Sequence, residues 1–164
     1  MTRFSRSTAW PSAGWPAHFQ RVACGGPSRA HSVYNGLQAM RNAGVPPQDW
    51  VLVHDAARCL VQPEWVERLI EACDDDEVGG LLALPLADTL KTAATDAHGR
   101  ARAASTVDRS GKWAAQTPQM FRHAALLDAL SKVNEVTDEA SAFEALGLQP
   151  RLVEGSPRNF KVTL

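Results

Sequence analysis

The stretch Val51-Leu52-Val53-His54-Asp55-Ala56-Ala57-Arg58 decides how this chain is to be read. Three apolar residues carry a strand to an abrupt stop, and an acid and a base follow within four positions. Open α/β sheets bind ligands outside the carboxyl ends of their strands, so a charged side chain set down there is a candidate working group. Asp55 is the first such candidate.

Working outward, Arg21-Val22-Ala23-Cys24 reads as a short strand ending at Gly25-Gly26, and Ser32 reads as the cap of a helix. That helix places Val33, Leu37 and Met40 on one face and stops at Gly44. Beyond Asp55 a second helix opens at Pro63 and runs through Trp65, Val66, Leu69 and Ile70. Gly79 and Gly80 then turn the chain into Leu81-Leu82-Ala83-Leu84-Pro85, a short apolar run of the buried-strand type. Strand, helix, strand, helix, strand predicts a parallel sheet wound with helices.

The middle of the chain breaks this rhythm. Residues 88–95 and 101–108 are two strand candidates around the turn cluster Asp96-Ala97-His98-Gly99, which predicts an antiparallel hairpin. Such an excursion has little apolar surface of its own and is expected to pack on another subunit. Residues 124–133 are then helical, Thr137 is placed to cap a helix ending at Gly147, and strands are expected at Arg151–Glu154 and Asn159–Thr163.

Composition bounds the rest. A chain of 164 residues with 45% apolar and 21% charged content is one domain with a continuous core. A net charge of −1 supplies no concentrated basic face, which argues against nucleic-acid and membrane-surface partners. Cys24, Cys59 and Cys73 are odd in number and have no C-x-x-C spacing, so neither zinc nor a disulfide framework is indicated and a reducing cytoplasm fits. No apolar run has membrane-span length, and the first twenty residues hold no signal-peptide h-region. Residues 1–20, rich in Ser, Pro and Trp without a period, read as an irregular leader, and the stop at Leu164 directly after a strand reads as a truncation.

Six segments, GGPSRAHSVYNGL (25–37), VLVHDAAR (51–58), LPLADTLK (84–91), TVDRSGKWAAQTPQMF (106–121), TDEASAFEALG (137–147) and LVEGSPRNFKVT (152–163), resemble, in order and spacing, the 2-C-methyl-D-erythritol 4-phosphate cytidylyltransferases. The resemblance covers residues 21–164 and leaves residues 1–20 without a match. It implies a Rossmann-like α/β nucleotidyltransferase sheet with a protruding β-arm that makes a homodimer, the arm falling at about residues 88–108. It also implies transfer of the cytidylyl group of CTP to methylerythritol phosphate with release of pyrophosphate, in isoprenoid precursor synthesis. The family's N-terminal glycine-rich loop and its final helix have no counterpart in the sequence. That gap keeps a second expectation open, an inactive remnant serving as a dimerisation module.

The resemblance assigns roles to single positions. Asp55 matches the magnesium-binding aspartate, a hard oxygen donor suited to Mg2+ or another divalent cation, although an Asp at this place also ends strands and caps helices. Lys161, in N-x-K-[IV]-T, matches the lysine that stabilises charge at the α-phosphate, where a lone strand Lys would face solvent. Arg109 matches an arginine that reaches across the dimer to the methylerythritol phosphate; its alternative is a salt bridge with Asp108 or a neighbouring carboxylate. Thr89, Thr117 and Thr137 are candidate substrate contacts, with helix capping the competing role of Thr137. Gly25, Gly26 and Ser32 match the contacts to cytosine and ribose, or else form a turn and an N-cap. Arg58 orients Asp55 or closes the sheet edge, in preference to touching substrate, and the histidines show no ligand-like spacing.

Overall fold

A computed structural model of the chain describes residues 20–133 and 136–163, so the expected leader lies, apart from Gln20, outside the described residues. The elements run α1 (Arg29–Asn42), β1 (Trp50–Val53), α2 (Pro63–Cys73), β2 (Gly79–Pro85), β3 (Leu90–Thr95), β4 (Ala101–Val107), β5 (Trp113–Arg122), α3 (His123–Lys132), α4 (Glu139–Ala145) and β6 (Arg151–Glu154).

The main sheet has the order β1-β5-β2-β6. β2 and β6 are parallel, but β5 lies antiparallel between β1 and β2. The expected all-parallel sheet is therefore corrected to a mixed one, and its central strand, Trp113–Arg122, is one that the periodicity did not mark. The reason lies in β5's own composition: Gln116, Thr117 and Gln119 are buried polar residues, so the run lacks the continuous apolar character that flags an interior strand.

Alternation along the strands covers both faces. Val51, Leu81 and Phe121 point to one side, where Leu37 of α1, Leu126 and Leu127 of α3 and Phe143 of α4 complete a core, Phe121 stacking on Phe143 at 4.3 Å between centroids. Met120, Leu82 and Val153 point to the other side and meet Leu69 and Cys73 of α2. Helices thus cover a sheet on both faces, the α/β layering of a Rossmann-like nucleotidyltransferase. At Gly79, φ is +109°, and an added Cβ would overlap Met120 O; only glycine lets β2 enter beside β5 there.

Four local expectations change. Residues 21–24 are not a strand; Cys24 N closes a tight turn on Val22 O, which an extended strand does not make. Helix α1 starts earlier, capped by Ser28, whose backbone is extended and whose hydroxyl accepts the His31 N–H, while Ser32 lies inside the first turn. α4 is capped by Asp138 in a reciprocal box with Ser141, not by Thr137, because a carboxylate with Ser three residues on satisfies two end groups together. Asn159–Thr163 is not a strand: Val162 N bonds Ala57 O, holding the segment beside the loop after β1 instead of along the sheet.

The hairpin β3–β4 forms as expected, pairing Leu90 with Val107 and Thr95 with Ala101, with Gly99 at φ +75° in its turn. It is a two-stranded sheet separate from the main one, and its strands are exposed nearly throughout.

Candidate active site

Because β1 and β6 both run parallel to β2, their carboxyl ends meet on one edge of the sheet. Asp55 follows β1 by two residues, and Lys161 lies on the segment beyond β6. The structure brings them together: Lys161 Nζ is 2.9 Å from Asp55 Oδ2. The other oxygen, Oδ1, accepts a 2.8 Å hydrogen bond from Arg29 Nε at the first turn of α1.

Arg29 also grips Glu139, the first residue of α4, through Nη1 at 2.7 Å and Nη2 at 2.9 Å. A planar guanidinium suits this two-pronged contact, and Glu139 needs it, since its side chain is only 1% exposed. Arg29 and Glu139 are the residues the sequence reading missed. Both stand inside segments that carried the resemblance, each as the first residue of a helix, but no local pattern links one to the other.

Electrostatics follow the contacts. Burial pushes the Asp55 carboxyl upward, but hydrogen bonds and charge from Lys161 and Arg29 outweigh it and hold the group below its ordinary range. For Arg29 burial likewise favours the neutral form, yet Glu139 and then Asp55 keep the guanidinium more firmly charged than usual. Burial lowers His54 below its ordinary 6.5, with the bond to Arg58 O and the Asp55 charge opposing. His54 Nε2 lies 3.1 Å from Arg58 O, which can only accept, so that nitrogen carries the proton. Nδ1 is then the acceptor for the Thr117 hydroxyl at 3.1 Å.

Thr117 is buried, and its oxygen also accepts the Asp55 backbone N–H at 3.0 Å. Its hydroxyl is thus fully engaged in holding Asp55 and His54. Arg58 donates to Asn159 O at 2.6 Å and to Ala115 O at 3.3 Å, so it ties the sheet edge and makes no hydrogen bond to the Asp55 carboxylate. Ser32 accepts the Gly26 N–H at 3.0 Å and donates to Ser28 O at 2.9 Å, which folds the glycine turn against α1. A Cβ at Gly26 would press into His31 Cβ, whereas Gly25 faces open space.

Three expected residues have exposed side chains that make no hydrogen bond to the Asp55 cluster. Thr89 is exposed in the bend before β3, and Thr137 is exposed before α4, its backbone N–H donating to Ser141 Oγ. Arg109 is exposed between β4 and β5, with only a long 3.5 Å approach to Leu86 O; it forms no salt bridge with Asp108, which instead bonds Ser110. Among the described residues, no three His, Cys, Asp or Glu side chains converge as a metal cage, and no helix is long and apolar enough to cross a membrane.

A sequence model of the family IspD, 2-C-methyl-D-erythritol 4-phosphate cytidylyltransferase, matches residues 15–164. The chain belongs to that family. The match starts six residues ahead of the Arg21 boundary drawn from the motifs. The chain is 52% identical over 151 residues to the 2-C-methyl-D-erythritol 4-phosphate cytidylyltransferase of Thiobacillus denitrificans, covering 92% of itself and 64% of that protein. It is 57% identical over 148 residues to the bifunctional enzyme IspD/IspF of Albidiferax ferrireducens, covering 90% of itself and 34% of that protein. Among solved structures, a 4-diphosphocytidyl-2C-methyl-D-erythritol synthase superposes with a TM-score of 0.81 at 44% identity, over 90% of this chain and 66% of that one. The Thermus thermophilus cytidylyltransferase superposes with a TM-score of 0.76 at 32% identity, over 99% and 75% of the two chains. The chain therefore spans about two thirds of the length of the single-function relatives.

Proposed function

We propose that this cytidylyltransferase-family chain transfers the cytidylyl group of CTP to 2-C-methyl-D-erythritol 4-phosphate, giving 4-diphosphocytidyl-2-C-methyl-D-erythritol and pyrophosphate. A phosphate oxygen of the polyol attacks the α-phosphorus, the bond from that phosphorus to the β-phosphate bridging oxygen breaks, and pyrophosphate leaves with the electron pair. The observation that carries this reading is the meeting of Asp55 and Lys161 at 2.9 Å on the carboxyl edge of the sheet. In this reaction class most catalysis is positioning and charge neutralisation, and an acid beside an ammonium supplies the two signs needed.

Lys161, 41% exposed, is free to swing from Asp55 to an arriving α-phosphate and neutralise the charge that builds there. Asp55 is the carboxylate that would hold Mg2+. Glu139 is buried and doubly bound to Arg29, so the donor set fits a magnesium ion held by one carboxylate with phosphate oxygens completing its shell, not an all-protein cage. The ion, when bound, neutralises phosphate charge. The Gly25-Gly26 turn and Ser32 would receive the base and ribose, with Gly25 open to close approach. Thr117 serves by fixing Asp55. Thr89, Thr137 and Arg109, all exposed, fit a polyol phosphate brought up by a second copy through the β3–β4 arm, which makes the working unit a cytoplasmic homodimer.

The purified chain, given CTP, Mg2+ and methylerythritol phosphate, is expected to release pyrophosphate above a no-enzyme control, and EDTA to stop it. Absence of release from a folded, dimeric preparation would refute the proposal and favour a dimerisation module instead.

A further inference from the structure

Lys161 lies seven residues beyond the last strand, on a segment without a ladder of its own. Something other than sheet pairing must place its ammonium against Asp55. The last ladder-like bond runs from Gly155 N to Ala83 O. From there the chain is held first by a buried side chain of β5, Gln116, with Arg58 adding a bond to Asn159 O at 2.6 Å. Its Nε2 donates to Ser156 O at 2.9 Å, and its Oε1 accepts from Ser156 N at 3.3 Å and from Asn159 Nδ2 at 3.2 Å. The side-chain amide thus pairs with Ser156 as a neighbouring strand's backbone would. Asn159 in turn donates to Thr117 O at 2.9 Å, and Val162 N closes the far side of Lys161 on Ala57 O at 2.9 Å.

We infer that Gln116 is a positioning residue for Lys161, and that Gln116 and Thr117 together form the template that joins the two halves of the site. Thr117 holds Asp55 through its backbone N–H, and Gln116 holds the segment that carries Lys161. Adjacent residues on a strand point to opposite sides, so one dipeptide of the antiparallel strand serves both. The amide needs both a donor and an acceptor at the same place, which only Gln supplies at this length. Gly155 belongs to the same device, because a Cβ there would overlap Gln116 Oε1.

Two variants approach the contact from opposite sides. Gln116→Met keeps the shape and removes all three bonds. Gly155→Ala leaves Gln116 in place and pushes its amide away; the displaced atom ends a flexible side chain, so the fold is retained. In both, amide exchange at Asn159 and Val162 is expected to accelerate by about tenfold or more, while Leu81 and Met120 in the sheet keep their protection. The catalytic consequence rests on the activity proposed above: kcat should fall by roughly 10- to 100-fold, with KM for CTP changed by less than about threefold. Unchanged exchange at Asn159 and Val162 in both variants overturns the inference. So does faster exchange with wild-type kcat. If the wild-type chain has no turnover, the activity proposal fails, and the exchange measurement alone still decides whether Gln116 places the Lys161 segment.

Discussion

Arg29 spends one guanidinium on two acids, Asp55 on the open edge and Glu139 in the interior. The two partners differ in what they lose if it goes. Asp55 still has Lys161, but Glu139 would be a buried carboxylate without a counter-charge, a loss of about 3–5 kcal/mol. Arg29→Met should therefore destabilise the fold strongly, and adding Glu139→Gln should restore more than about 1 kcal/mol, because the orphaned charge is gone. Urea denaturation of the two single variants and the double variant measures this; strict additivity would show that the pair is not the source of the effect.

His54 makes a second prediction at the same scale. The folded state keeps it neutral, accepting from Thr117 at Nδ1, and burial lowers its pKa below 6.5. The unfolded chain takes up that proton more readily, so stability is fully present above about pH 6.5 and falls as pH drops below it toward the folded value. Asp55 adds to the loss only further down, since its folded pKa is depressed from 3.8 and its contribution disappears as pH falls through that lower value. Urea midpoints at pH 7.5 and 5.5 should differ in the wild type and converge in His54→Gln. An equal slope in the variant would place the effect elsewhere.

At the scale of elements, legibility followed simple periodicities. α2 was readable because Pro63 opens it and Trp65 and Leu69, four apart, recur on the face that packs on the core. β2 was readable because Gly80 to Ala83 are buried on both faces. β5 was not, since its central Gln116, Thr117 and Gln119 are polar, and each is spent on a contact distant in sequence: the Lys161 segment, Asp55, and Asp138 with Ala140 at the start of α4. The cap of α4 was misplaced by one residue for a related reason. Thr137 and Asp138 can both cap a helix in isolation, and Asp138, the stronger capping type, is selected here with a reciprocal bond to Ser141. The site divides in the same way. Asp55 and Lys161 were legible through their motifs, whereas Arg29 and Glu139 act through each other across 110 residues, a relation that no local pattern contains.

The whole molecule separates its candidate site residues into two places. Asp55 and Lys161 meet beyond the carboxyl edge of the main sheet, while Arg109 lies past the separate β3–β4 hairpin, exposed and bound only loosely to Leu86 O. An arginine that serves a site on its own chain would be expected near that site. One that serves a partner's site would instead be held out near an exposed arm, and Arg109 lies exposed just past the end of β4. If two copies exchange arms, each site is built from Asp55 of one protomer and Arg109 of the other, and the two defects complement. Asp55→Asn and Arg109→Ala homodimers should each be nearly inactive under the proposed reaction. Mixed and allowed to exchange, half the dimers become heterodimers in which one of two sites is intact, giving about a quarter of wild-type pyrophosphate release. If Arg109 acts within its own chain, the two defects of a heterodimer fall in different sites, and each site lacks one group. Mixing then restores nothing, because every site in the heterodimer carries either the Asp55 or the Arg109 change. With an affinity tag on one variant only, recovery of the untagged variant on the affinity resin shows whether exchange took place, so a flat activity with confirmed heterodimers assigns Arg109 to its own chain.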